Sequence, residues 1–309
     1  MNAIVVLRRL ARALLTIGLL VLFTFVVLRA SGDPAAALIG DEVPLEALEA
    51  LRKRWGLDQP IHTQFLLYVG NLLQGDFGFS FMGQGPALDL ILDRIPKTLT
   101  LMGLTTVATL CIGIPAGVYA ALHRNSWIDR TTMGVTVASF SMPNFVVGIF
   151  LILLFGVVWR LLPTSGSATL WHYVLPVITM ASADAALFAR FSRSAMLEVL
   201  HRPYMRTAFA KGASWRRALT RHALPNAAIP IVTLVGLYLG RNIAAAVVTE
   251  NVFAWPGLGK LLVTAVEKRD FAVVQGIVLL VGVTMVTANL LVDLAYGWLD
   301  PRTRAKVAR

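Results

Sequence analysis

Long uncharged runs alternate with short polar ones along this chain. Thr98 to Leu122, Thr131 to Trp159 and Phe271 to Val292 contain no charged side chain. A helix needs about 20 residues to cross about 30 Å of hydrocarbon, so each run predicts a membrane span. Three further runs carry single blemishes. Ala13 to Leu28 is uncharged between Arg12 and Arg29, whose stems can reach the interface. Leu170 to Ala189 is broken only by Asp184, and Ala223 to Thr249 only by Arg241. The pattern predicts an all-α polytopic membrane fold of six transmembrane helices.

The polar segments subdivide it. An N-terminal segment and first span occupy 1–29, and an outer loop covers 30–97. A five-helix core follows over 98–299, with a cytoplasmic loop at 191–225, and a basic tail closes the chain at 300–309. Within the outer loop, Val43 to Gly56 predicts an amphipathic helix. Pro44 suits its first turn, Leu45, Leu48 and Leu51 share a face, and Gly56 ends it. Ile61 to Leu73 predicts a second helix, followed by a turn at Gly75-Asp76-Phe77-Gly78-Phe79. This loop reads either as a packed cap or as a docking surface or gate. Pro115, Pro143, Pro176 and Pro230 fall inside spans, where neighbouring helices or water satisfy the freed backbone groups.

Composition supports the membrane class: 57% of the 309 residues are hydrophobic and 15% charged, with a mean hydropathy of +0.70. The net charge of +11 raises nucleic acid as a partner, but its distribution argues against one. Seventeen of the 28 Lys and Arg residues lie on segments that are inner if the N-terminus is inside, whereas the first outer loop holds nine acids. This positive-inside asymmetry predicts cytoplasmic termini and a lipid rather than nucleic-acid environment. The N-terminal run also has the charge profile of a signal peptide, but no clear small-x-small cleavage site follows it, so it is read as a retained span.

Candidate chemistry is sparse. One cysteine, Cys111, permits no intramolecular disulfide, and five scattered histidines show no ligand spacing, so no metal site is predicted. Gly257-Leu258-Gly259-Lys260 lacks the spacing of a phosphate-binding loop. No catalytic constellation is present, and no catalytic residue is assigned. Intramembrane charges are costly and usually face the bundle interior or water. Asp184 is therefore the candidate lining residue of a path, with Arg241 and Asn242 on the next span; a structural Asp184–Arg241 pair is the competing reading.

The cytoplasmic segment from Arg202 to Ile231 is basic and helix-prone. Tyr204 to Lys211 predicts a helix, Gly212 a turn, and Ser214 the cap of a second short helix from Trp215 to Ala223, with Pro225 at the approach to the next span. Such a rigid projection suits mechanical coupling, and it equally suits an amphipathic stretch resting on anionic lipid.

The segment resembles the coupling loop, or EAA motif, of the membrane subunits of bacterial ATP-binding-cassette importers. Gly212 takes the motif glycine and Leu224-Pro225 its end, while Arg206 and Thr207 replace the acid and first alanine, Ala208 keeps the second, and His222 replaces the hydrophobe. Arg206 to Ser214 looks like the variant of the dipeptide and oligopeptide permease branch. So do Gly56-Leu57-Asp58-Gln59-Pro60, Gly75 to Gly78, Arg94 to Thr98, Phe253 to Gly259 and Asp300-Pro301-Arg302. The long first outer loop points to the first permease of a pair.

The resemblance implies type I importer architecture in the bacterial inner membrane. It implies a second permease, two cytoplasmic ATPase subunits carrying ATP and Mg, and an outer solute-binding protein, with no cofactor on this chain. It implies Tyr204, Arg206, Thr207, Ala208, Lys211, Gly212 and Ser214 at the ATPase interface, and Asp33 to Asp93 against the binding protein. The substrate class implied is peptidic, with dipeptides, oligopeptides, glutathione and nickel complexes all within the branch. The alternative is a self-sufficient carrier or channel whose loop rests on lipid.

Overall fold

The computed structural model describes residues 3–30, 53 and 57–299, with side chains for 6–27, 29–30, 53, 57–238 and 246–290. Its helices, in chain order, are α1 (Ala3–Ala30), α2 (Ile61–Leu73), α3 (Ala87–Leu122), α4 (Trp127–Ser141) and α5 (Asn144–Leu151). They continue as α6 (Trp171–Leu200), α7 (Pro203–Ala210), α8 (Trp215–Ala218), α9 (Leu224–Val252), α10 (Leu258–Glu267) and α11 (Phe271–Leu299). Strands β1 (Phe79–Ser80) and β2 (Gly85–Pro86) form a small antiparallel hairpin before α3. The helix expected over Val43 to Gly56 and the tail at 300–309 lie outside the described residues.

Among the described residues, four helices are long and apolar enough to cross a membrane: α1, α3, α6 and α11. The run predicted as one span from Thr131 to Trp159 is not straight. α4 and α5 meet at 99°, and a π-helical turn, Ile152–Val158, continues α5; counted as one span, the bent pair brings the described candidates to five. Pro143 explains the break. The residue before a proline is pushed out of the helical region, and Met142 sits at φ −115°, ψ 129°. α9 occupies the stretch expected for the remaining span, running through Pro230 without interruption.

The chain divides into two compact units. The first comprises Met1–Pro96 and Gly257–Arg309. Its core packs Ala87 and Ile91 of α3 against Leu258, Leu261 and Ala265 of α10 and Val273 and Ile277 of α11. Gly276 admits the Ile91 side chain, since a Cβ there would lie 2.5 Å from Ile91 Cδ1. Asp270 knits this unit together: fully buried, it accepts from Ser80 Oγ at 2.7 Å and from the Met82 and Val273 amides, so one carboxylate fixes the hairpin and caps α11. The segment leading into α11 thus contains a packed amphipathic helix, α10.

The second unit is Lys97–Pro256. Here α3 and α6 meet backbone to backbone. A Cβ at Gly113 would lie 2.6 Å from the Ala185 carbonyl oxygen, and one at Gly117 would collide with Ala189. Lipid tails are as apolar as leucine, so helices in a membrane associate through close packing, and small residues four apart permit it.

Candidate functional site

The basic projection folds as its turn chemistry dictates. Pro203 opens α7, and Gly212 turns the chain at φ +78°, a left-handed conformation that glycine adopts without strain. The Ser214 side chain then accepts from the Arg217 amide and caps α8. The expected second helix does not end near Ala223. A π-helical turn, Leu219–Ala223, joins α8 directly to α9, so the projection and α9 are one continuous element. That wide turn lies just before Pro225, whose missing N–H and bulky ring disfavour a regular α-turn.

Tyr204, Arg206, Thr207, Lys211, Gly212 and Ser214 are exposed on this projection. Ala208 is turned inward and buried, so any part it has in an interface is as a spacer beneath the helix. Met205 is the key. It is buried among Met196 and Val199 of α6, Ala121 of α3, and Ala218, Ala223 and Ala227. Phe209 and Trp215, which the sequence did not single out, stack face to face across the turn at 5.8 Å. No acidic residue lies between Arg202 and Arg221, so every charge on the exposed face is basic.

Asp184 sits near the middle of α6, half-buried. Its neighbour is Tyr238 of α9, whose hydroxyl hydrogen-bonds with Asp184 and Thr106 and lies 3.5 Å from Thr109 Oγ1 of α3. Tyr238 also packs edge-to-face on Phe188. Three helices thus converge on one phenol, a hub the sequence reading missed because a tyrosine in an apolar run carries no signal of its own. The side chains of Arg241 and Asn242 lie outside the described set, as does any pairing of theirs. Cys111 is exposed, and no cluster able to hold a metal occurs among the described residues.

Two of the landmark segments meet. Trp255 is fully buried and donates from Nε1 to the Lys97 carbonyl at 3.1 Å, and Thr98 donates to the buried Glu250 carboxylate at 2.7 Å. Phe253-Ala254-Trp255 is therefore internal scaffold. A further ion pair stands at the root of the projection. Arg193 of α6 grips Asp129 of α4 with both donors, Nε to Oδ1 at 2.5 Å and Nη2 to Oδ2 at 2.6 Å. Asp129 is 3% exposed and also accepts from the Asn125 amide at 2.9 Å.

Long apolar helices, a bent helix pair and a basic hairpin packed against the end of α6 define a multi-pass membrane protein. The chain belongs to the binding-protein-dependent transport system inner membrane component family, whose model matches residues 113–305, and the N-terminal model of such membrane components matches 2–102. It is therefore a permease subunit of an ATP-binding-cassette importer. It is 43% identical over 275 residues to the glutathione transport system permease protein GsiC of Shigella flexneri serotype 5b, covering 89% of this chain and 90% of that one. The protein of the same name in Escherichia coli K12 is 42% identical over the same coverage. Among solved structures, the inward-facing MetNI methionine ABC transporter aligns with a TM-score of 0.55 at 20% identity, covering 67% of this chain and 92% of its own. An amino acid ABC transporter crystallised with histidines aligns at 0.54 and 19%, covering 68% and 94%. At these identities the structures speak for the fold alone.

Proposed function

We propose that this chain is the first of two permeases enclosing the path of an ATP-driven peptide importer, with six spans and both termini in the cytoplasm of a bacterial inner membrane. Two ATPase subunits carrying ATP and Mg drive the cycle, and a solute-binding protein delivers substrate to the outer loop. Each ATPase engages one coupling projection, here the exposed residues Tyr204, Arg206, Thr207, Lys211, Gly212 and Ser214. The observation that carries this reading is the projection itself. Met205 seats α7 in the core, and the π-turn makes α8 continuous with α9, so a push on the hairpin is delivered to a span. A ligand moves such an equilibrium only through its differential affinity for the two states, and ATP supplies that difference at the ATPase pair.

The peptide class is supported by the likeness to the glutathione permeases, glutathione being a γ-linked tripeptide. Asp184 and the Tyr238 hub, with Arg241 and Asn242 further along α9, supply the polar groups of the path. The test is cross-linking in the assembled transporter. With Cys111→Ser and Arg206→Cys, a thiol-reactive cross-linker is expected to join this chain to an ATPase subunit, with a yield that changes on adding ATP. Uptake of peptide by this chain alone in liposomes, without ATP, would establish the carrier reading instead.

A further inference from the structure

The Asp129–Arg193 pair stands at the root of the projection, and the function described so far makes no use of it. We propose that it is a positioning clamp that carries the displacement of the coupling projection into the broken span α4–α5. This rests on the coupling reading above and adds a second route by which the projection reaches the membrane core.

The connection can be followed residue by residue. The last turns of α6 supply Met196 and Val199 to the cluster that seats Met205 of α7, so the end of α6 moves with the projection. One turn back from Met196 along the same helix, Arg193 holds Asp129 at the start of α4. A planar guanidinium gripping a carboxylate through two parallel bonds fixes angle as well as distance, which a single lysine contact would not. The carboxylate is itself immobilised by the Asn125 amide, and the Ser126 side chain accepts from the Asp129 amide. Asn125 holds φ +66°, so the turn between α3 and α4 is built around this acid. Beside the pair, Arg124 Nη1 lies 3.4 Å from His201 Nε2, a second tie between the same turn and the end of α6.

At its far end α4 stops at Met142–Pro143 and the chain bends by 99°. Pro143 provides no side-chain cap to α5, and the break residues Met142 and Phe145 are exposed. Irregular backbone at membrane depth is tolerated only where it faces protein or a water-filled cavity. A rigid α4 pulled at its N-terminus therefore moves an element that borders protein or water, not lipid. The break lets α4 turn while α5 keeps its own direction, because a bend absorbs rotation that a straight span would pass on.

The experiment uses the whole transporter with its binding protein in proteoliposomes, reading ATP hydrolysed per peptide imported. ATP-dependent uptake by the unaltered complex is the control for the importer reading. Asp129→Asn and Arg193→Gln are each expected to raise the ratio on the order of tenfold, within the usual range of coupling between sites. Arg193→Lys, which keeps the charge and loses the fork, is expected to fall between. The exchange Asp129→Arg with Arg193→Asp is expected to recover part of the loss. A paired spin-label measurement from Trp127→Cys to Lys211→Cys, with Cys111→Ser, is expected to give one distance with and without ATP, broadened by Arg193→Lys. An unchanged ratio in variants that assemble normally, or uptake and hydrolysis falling together in proportion to assembled complex, would overturn the clamp while leaving the importer reading intact. If Asp129→Asn does not assemble, Arg193→Lys decides the matter by the same two readouts.

Discussion

At the scale of single residues, turn and core positions separate cleanly. A Cβ on Gly212 would meet nothing within 4 Å, so the demand for glycine there is conformational. Gly212→Ala is expected to cost about 1 kcal/mol through its left-handed backbone, and to leave the protein inserted. Gly212→Trp adds bulk on the face proposed to meet the ATPase, and is expected to abolish uptake at normal abundance while hydrolysis continues. Unchanged uptake in that variant would remove Gly212 from the interface. Trp255 is of the opposite kind. Trp255→Ala is expected to destabilise by about 3–5 kcal/mol, read as a lowered thermal midpoint in detergent. Asp270→Ala leaves the Ser80 hydroxyl and the Met82 amide without their acceptor, and each stranded buried group costs about 1–3 kcal/mol. Residues of local meaning were legible in the sequence: Gly212 as a turn, Ser214 as a cap. Asp270, Glu250 and Asp129 were not. Their partners lie 190, 152 and 64 positions away, and nothing in a linear pattern brings such residues together.

At the scale of elements, apolar runs foretold where helices lie, and they do so because length and hydropathy alone decide that question in lipid. They did not foretell how a run is bent. Pro143 marked a place where backbone groups are freed, but the 99° turn depends on Met142 leaving the helical region and α5 starting afresh in a new direction. The π-turns at Ile152–Val158 and Leu219–Ala223 leave no mark in composition. The second of these predicts a particular sensitivity. Pro225→Ala restores a backbone donor, and is expected to favour a regular α-turn, rotating the projection about the α9 axis. The measurable result is a lower cross-linking yield from Arg206→Cys without loss of protein. The α3–α6 seam carries its own prediction. Gly117→Leu would drive a side chain into the Ala189 backbone, and is expected to reduce the amount of folded protein recovered from membranes severely.

At the scale of the whole molecule, the family was legible because several short motifs occur in order along one chain, each of them locally encoded. The described landmarks do different work. Trp255 is internal scaffold, Gly75 and Gly78 turn the backbone at φ +80° and +92°, and the Arg206 to Ser214 segment presents most of its side chains outward. Substrate choice is not legible in this way, since it rests on the side chains lining a path shared with a second subunit. Asp184→Asn is expected to alter the KM for peptide with little change in the ATP hydrolysis of the complex, by weakening the group that holds the Tyr238 hydroxyl. Unaltered kinetics for every peptide tested would return Asp184 to a purely structural role. Mass spectrometry of the tagged chain, drawn gently from its native membrane, is expected to recover a second permease and two copies of ATPase subunit.

The meeting of Gly113 with Ala185, and of Gly117 with Ala189, has an electrical consequence. Where two backbones touch, no width remains for even a single file of water, so protons and ions have no route along that line. A membrane that stores energy as a voltage has no leak along that seam. Glycine at those two positions is insulation.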